Sequence, residues 1–186
     1  MLAVKRGLQA AALVSVAVLL GVLVWRVTHR SHDVVPVVID SAHPIRSPAF
    51  AFPRLERPGK LSLASLRGKG VILNFWQSDC PPCKRELPAL ERVWKRHRAR
   101  GLVIVGIDVM DAKADAQAMA HRLGITYPIV RDERGSSLDR FSVLYLPETL
   151  FVNRRGRVVG TRIFGGIDLA RNQVSFARGV RLALRE

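Results

Sequence analysis

Two cysteines separated by two residues constrain the fold of this 186-residue chain more than any other feature. Cys80 and Cys83 are its whole cysteine content, and they lie between an apolar run at 71–76 and a charged helical pattern. At such a strand-to-helix junction, unpaired N–H groups and the helix dipole favour the thiolate of the first cysteine. Reversible disulfide chemistry needs this arrangement, with Cys80 as the nucleophile and Cys83 as the thiol that resolves a mixed disulfide.

Other uses of a cysteine pair fit the sequence less well. A purely structural disulfide at this spacing closes a very small loop and stabilises little. A zinc site needs about four ligands, and the histidines downstream of the pair, His97 and His121, are not spaced as a zinc-finger pair. A copper-delivery protein with a comparable cysteine pair would carry three residues between its cysteines, whereas this chain has two. We therefore predict a redox pair that binds no metal and needs no cofactor.

The N-terminal region predicts a membrane tether. Residues 7–25 are uncharged and about as long as a bilayer-spanning helix, with Trp25 as an interfacial anchor. A cleaved signal peptide would have a shorter apolar part and a small-x-small cleavage site, and no cysteine follows the apolar run to carry a lipid. The predicted organisation is a short segment at 1–6, an uncleaved transmembrane anchor at 7–25, a proline-rich linker at 26–47 and a folded domain at 48–186.

The charge of the chain is strongly positive, with 30 Lys and Arg against 15 Asp and Glu and a formal net charge of +15. The densest basic run, Arg92–Arg100, falls on a predicted helix, and the other basic residues are scattered. No nucleic-acid motif is present and aromatic residues for base stacking are few, so we expect no nucleic-acid partner. A solvated basic surface is expected, with anionic lipid or an acidic partner as the alternative. Positive residues flank both sides of 7–25, so the charge pattern indicates only weakly which end of the anchor faces the cytoplasm.

Hydrophobic periodicity predicts alternating strands and helices, which together indicate an α/β fold with a central mixed sheet and helices on both faces. The pattern at 61–66 is typical of a short strand or a turn of helix. Pro88 is expected to kink the first helix or to start its second segment. The predicted strands are 71–76, 102–108, 127–130, 149–152 and 158–164, the last two forming a hairpin around 153–156, and the predicted helices are 80–100, 112–123, 137–141 and 168–184.

Three spaced motifs resemble those of the membrane-anchored thioredoxin-like proteins of the TlpA/ResA/DsbE group, over about residues 48–184. The resemblance implies a thioredoxin-like fold behind one N-terminal transmembrane helix, at the extracytoplasmic (periplasmic) side of the cytoplasmic (inner) membrane. The motifs are Asn74-Phe75-Trp76, Cys80-Pro81-Pro82-Cys83-Lys84-Arg85-Glu86-Leu87-Pro88 and Leu146-Pro147-Glu148-Thr149-Leu150-Phe151-Val152-Asn153 with Gly156.

The resemblance also implies an activity and partners. We expect a thiol:disulfide oxidoreductase that reduces disulfides of selected exported proteins, a class that includes apocytochrome c. A membrane thiol protein that passes electrons across the bilayer would reduce the enzyme again. The alternatives are an oxidant of the same fold that donates its disulfide, and a thioredoxin-fold binding or chaperone module with incidental cysteines. A peroxidase is disfavoured because no Pro-x-x-x-Thr-x-x-Cys segment is present.

Residue roles carry over by position within these motifs. Cys80 would be the exposed attacking thiol and Cys83 the buried resolving thiol. Pro147 matches the family's cis-proline, so the Leu146-Pro147 bond should be cis and should offer the backbone of Leu146 to a client strand. Trp76 completes the predicted client-binding surface.

The resemblance also implies an acidic residue that assists proton transfer, and three residues are candidates for it. Asp111 and Asp108 follow the predicted strand at 102–108, and Glu86 comes three residues after Cys83. The structural alternative for the two aspartates is a solvated strand end or a cap for the helix at 112–123. The alternative for Glu86 is an ion pair with nearby arginines.

Asp79 departs from the family pattern, which places an aromatic residue, commonly Trp, before the first cysteine. An aspartate there is a good helix cap and also belongs to the predicted client-binding surface, but its charge opposes formation of the Cys80 thiolate. We therefore predict that the pKa of Cys80 in the reduced protein is higher than in an Asp79→Trp variant. Thiolate absorbance titrations of the two proteins test this, and an equal or lower pKa in the parent would contradict it.

Overall fold

The computed structural model describes residues 15–26 and 44–185, within two compact units, Met1–His32 and Asp33–Glu186. In the first unit, residues 15–26 form a helix (α1) whose side chains are exposed. Over the described residues, no helix combines the length and the apolar character needed to cross a bilayer. Residues 7–14 of the predicted anchor and most of the predicted linker lie outside the described part of the chain.

A six-stranded mixed sheet forms the centre of the second unit. Its strand order is β1-β8-β7-β4-β5-β6, and a separate hairpin pairs β2 with β3. The strands β4, β5 and β6 are parallel, with β6 at one edge of the sheet, whereas β7 runs antiparallel to both β4 and β8. The strands are β1 (Ile45–Arg46), β2 (Ala51–Pro53), β3 (Lys60–Ser62), β4 (Gly70–Trp76), β5 (Leu102–Val109), β6 (Ile129–Asp132), β7 (Glu148–Val152) and β8 (Arg157–Phe164).

Helices cover both faces of this sheet, but unequally. They are α2 (Pro81–His97), α3 (Lys113–Arg122), α4 (Ser136–Phe141) and α5 (Ala170–Ala183), with short 3₁₀ turns at Ala64–Leu66 and Arg98–Arg100. One core lies under α2, α3 and α5 and contains Cys83, while the other is closed by α4, the β2–β3 hairpin and the first 3₁₀ turn. Every residue of β4 is buried, as expected for a central strand with packing on both sides.

The predicted mixed sheet with helices on both faces is confirmed, and several boundaries need correction. The first helix begins at Pro81 rather than residue 80, and its last three predicted residues form the 3₁₀ turn. Pro88 lies inside a single helix, Pro81–His97, so it does not start a second segment. The segment 61–66 contains both of the expected alternatives, since β3 ends at Ser62 and the first 3₁₀ turn follows. Ile45–Arg46, placed in the predicted linker, pairs with β8.

Candidate active site

The two cysteines form a disulfide at the N-terminus of α2, with a Cα–Cα distance of 5.3 Å. Cys80 is the N-cap residue, and its Sγ accepts a hydrogen bond of 3.3 Å from the backbone N–H of Cys83. Pro81 occupies the first helical position, where its missing N–H costs nothing. Cys80 is half-buried and Cys83 fully buried, so Cys80 is the more accessible of the two. The Cys83 N–H also favours a thiolate at Cys80 after reduction.

Asp79 does not cap this helix, contrary to the prediction. It is exposed in the turn before Cys80, and the cysteine sulfur takes the cap position instead. The loop before Cys80 is held by Asp111. Its carboxylate accepts hydrogen bonds from the Ser78 backbone N–H (2.6 Å) and hydroxyl (2.9 Å). Asp111 therefore fixes the approach to Cys80 and does not cap α3, whose N-cap residue is Ala112.

Glu86 lies one turn beyond Cys83 on α2 and is fully buried. The alternative in which it pairs with nearby arginines is wrong, because its carboxylate accepts hydrogen bonds from the Asn74 side-chain amide (2.6 Å) and the Ile167 backbone N–H (2.9 Å). Asn74 also donates to Thr149 Oγ1 on the neighbouring strand. Burial raises the pKa of Glu86 to about 7, against the lowering effect of these hydrogen bonds. The group therefore changes protonation near neutral pH.

Asp108 is buried opposite Trp76, at the end of the paired strands β4 and β5. Neither carboxylate oxygen has a hydrogen-bond partner among the described residues, and the nearest cation, Arg131, has its Nε 3.8 Å from Oδ2. Burial, together with the neighbouring charge of Asp111, raises the pKa of Asp108 to about 8 against the lowering effect of Arg131. The two aspartates thus differ in character, since one fixes a loop and the other is a buried acid.

The predicted client-binding segment lies beside the end of β4. The Leu146-Pro147 peptide bond is cis. In the antiparallel pairing of β4 with β7, Phe75 lies opposite Glu148. The next residues, Trp76 on β4 and Pro147 before β7, are therefore neighbours. Pro147 is buried, and its carbonyl accepts a hydrogen bond of 2.9 Å from the Gly165 N–H. The structure thus brings the cis-proline and the cysteine-bearing loop to the same end of the sheet.

Sequence reasoning missed a buried ion pair behind this segment. Arg162 and Glu148 both have fully buried side chains, and the Arg162 Nη1 lies 2.8 Å from the Glu148 Oε1. The signal was an arginine in the interior of β8, whose other arginine, Arg157, is the first residue of the strand. Over residues 15–26 and 44–185, no group of three or more His, Cys, Asp or Glu residues is arranged to hold a metal ion.

The raised pKa of Asp108 predicts a pH-dependent stability. Because the folded state holds the proton up to about pH 8 and the unfolded state releases it near 3.8, the free energy of unfolding of the parent falls as the pH rises through this window. Asp108→Asn removes this loss, so its stability relative to the parent should increase by up to about 1.4 kcal/mol per pH unit. Urea unfolding at several pH values measures the difference. The exposed Asp115→Asn should show no such rise, and a flat profile for Asp108→Asn would contradict the assignment.

Comparison with known proteins agrees with this geometry. The chain is 34% identical over 99 residues to the thiol-disulfide oxidoreductase ResA of Halalkalibacterium halodurans, covering 53% of this chain and 56% of that protein. It is 36% identical over 100 residues to the ResA of Bacillus subtilis, covering 54% and 56%. The matches thus span little more than half the length of these relatives.

Solved structures show the same fold. A thioredoxin family thiol:disulfide interchange protein of Chlorobium tepidum superposes with a TM-score of 0.66 at 29% identity, covering 78% of this chain and 100% of that one. A putative DsbE from the same organism gives a TM-score of 0.70 at 22% identity, covering 79% and 99%. The fold is therefore thioredoxin-like. The model of the AhpC/TSA family matches residues 46–161, and this chain belongs to that family.

Proposed function

We propose that this protein is a membrane-tethered thiol:disulfide oxidoreductase that reduces disulfides of selected exported proteins. The observation that carries the proposal is the Cys80–Cys83 pair at the N-terminus of α2, with the accessible sulfur as N-cap and the second sulfur buried one turn along. The ResA relatives, which are named thiol-disulfide oxidoreductases, support the same chemistry.

The proposed reaction exchanges two electrons and needs no cofactor. The Cys80 thiolate attacks one sulfur of the client disulfide, forms a mixed disulfide and releases the other client sulfur as a thiolate. Cys83 then loses its proton and attacks the Cys80 sulfur, which forms the intramolecular disulfide and releases the second client thiol. The client gains two electrons, and the enzyme is left oxidised. A membrane thiol protein must supply two electrons to reduce it again.

Glu86 is the acid–base group we assign to the second step. It lies one helical turn beyond Cys83 in the same buried layer, and its pKa of about 7 allows the carboxylate to take the Cys83 proton near neutral pH. Asp108 is the alternative proton acceptor, although its pKa of about 8 leaves it largely protonated at pH 7. Asp111 is assigned the separate task of positioning the loop before Cys80, through its two hydrogen bonds to Ser78.

Client binding is assigned to the segment around the cis-proline. Pro147 has no N–H and is buried, while Leu146 is half-buried and precedes it at the end of the sheet. A client strand that pairs with the Leu146 backbone would bring its disulfide towards Cys80. Trp76, the last residue of β4, is fully buried and packs in the core below this segment. Asp79 is exposed beside Cys80.

The proposed location is the extracytoplasmic side of the cytoplasmic membrane, with residues 7–25 as the anchor. The uncharged sequence of that segment supports the tether. Apocytochrome c is a client class that fits a reductase in this place, since its haem-binding cysteines must be reduced before attachment. The oxidant of the same fold is the second candidate, because the potential of a Cys-x-x-Cys pair varies widely.

Cysteine variants distinguish this catalytic cycle from a binding module. Cys83→Ser cannot resolve the mixed disulfide, so incubating the reduced full-length variant with insulin as a probe disulfide should trap a covalent adduct at Cys80. Non-reducing gel electrophoresis with mass spectrometry would identify it. The matched Cys80→Ser variant keeps only the buried thiol and should trap at least about tenfold less, because its sulfur is inaccessible. Equal trapping by the two variants would contradict the assigned roles, and no adduct with either would favour a module whose cysteines are incidental.

A further inference from the structure

Arg162 holds the backbone of the segment that leads into the cis-proline. Its Nη1 donates to the Ser142 carbonyl oxygen (2.7 Å) and its Nη2 donates to the Phe141 carbonyl oxygen. These are the last carbonyls of α4 and its C-cap residue, where a cation is also favoured by the helix dipole. One buried side chain therefore fixes the start of the loop 142–146.

Glu148 fixes the other end of the same loop. Its Oε1 lies 2.8 Å from the Arg162 Nη1, and its Oε2 accepts a hydrogen bond of 3.3 Å from the Leu144 N–H. Glu148 directly follows Pro147, so the ion pair spans the loop from the end of α4 to the first residue of β7. Because both side chains are fully buried, solvent screens this pair little.

An irregularity in β8 directs Arg162 towards this loop. Thr149 pairs with Ile163 and Phe151 pairs with Val159, so two residue steps on β7 face four steps on β8. Gly160, with a φ of 72°, lies within the extra residues together with Arg162. Such bulges redirect a side chain at the cost of regular pairing, and they are common beside active sites. The irregularity therefore places a charged side chain within an apolar layer.

The loop presents two apolar side chains to solvent. Leu144 is 61% and Tyr145 is 70% exposed, whereas most large apolar side chains of this unit are buried. The loop runs into Leu146 and the cis-proline, which is the segment assigned above to client binding. Its backbone position therefore decides where a client chain meets these side chains.

We propose that Arg162, through its ion pair with Glu148, is a positioning residue for client proteins: it holds the loop 142–146 in the orientation in which a protein disulfide reaches Cys80. This inference rests on the proposed function, since it concerns the same site. We expect a small disulfide to reach Cys80, which is half-buried, without contacting the loop. Loss of the Arg162 contacts should therefore weaken the reaction with a protein disulfide and spare the reaction with a small one.

The experiment compares two probes on the reduced full-length protein, insulin as the protein disulfide and glutathione disulfide as the small one. In Arg162→Lys the ammonium cannot reproduce the fork that contacts two carbonyls and a carboxylate. We expect its KM for insulin to rise about tenfold while the rate constant for glutathione disulfide stays within about twofold. Arg154→Lys is the matched control, because Arg154 also donates to three backbone carbonyls, of Gly68, Arg100 and Leu184, but in the turn at the opposite end of β7. Arg154→Lys should change neither the KM for insulin nor the rate constant for glutathione disulfide.

A second variant guards against misfolding of the first. The double variant Arg162→Met, Glu148→Met replaces the buried ion pair by apolar side chains, a replacement that folded proteins often tolerate. It should give the same selective rise in the KM for insulin. Equal losses towards both probes, or an unchanged KM for insulin in a folded variant, would overturn the positioning role and leave the proposed function intact. If the parent reduces neither probe, the proposed function is overturned and this inference with it.

Discussion

The arrangement of the site depends on the hydrogen bonds that the buried carboxylate of Glu86 accepts. It joins α2 to β4 through Asn74 and to the segment before α5 through the Ile167 N–H, and Asn74 extends the connection to Thr149 on β7. The helix that carries both cysteines is thereby fixed against the centre of the sheet by polar contacts within an apolar core. Buried polar groups of this kind need their partners, because an unpaired one is costly. Burial also raises the pKa of this carboxyl group to about 7, which suits the proton transfer proposed for it.

The acidic residues around the cysteines divide into groups with different environments. Asp111 is engaged by the Ser78 backbone and hydroxyl, whereas Asp108 is buried without a hydrogen bond among the described residues. Glu148 has an arginine as its partner. The family resemblance favoured Asp111 for proton transfer, but its hydrogen bonds favour a positioning task, whereas burial raises the pKa values of Glu86, Asp108 and Glu148.

The elements that could be predicted from the sequence are those with a strong local signal. The strand β4 is an apolar run interrupted by Asn74, and the β7–β8 hairpin has a glycine at 156 with a φ of 74° that suits its turn. The strands β1 and β2 could not be predicted, because they have two or three residues each and no hydrophobic periodicity. The alternation at 61–66 indicated a short strand or a turn of helix, and β3 lies at its start.

Contacts between distant residues were beyond prediction for a related reason. Arg162 and Glu148 meet only because β8 carries extra residues opposite β7, which no local pattern shows. The hydrogen bond between Ile167 and Glu86 likewise joins residues far apart in the chain. The cap at Cys80 was assigned to Asp79 because cysteine is not among the usual capping residues. In each case tertiary packing decided what local preference could not.

The direction of electron flow is the central claim, and the reduction potential of the Cys80–Cys83 pair tests it most directly. The full-length protein in detergent would be equilibrated with dithiothreitol or glutathione redox buffers, and its thiol content measured by alkylation and mass spectrometry. A value at or below about −230 mV, in the range of thioredoxins and glutaredoxins, is the predicted result and makes a membrane electron donor necessary. A value near −120 mV, as in strong oxidants, would contradict the proposal and reverse the reaction.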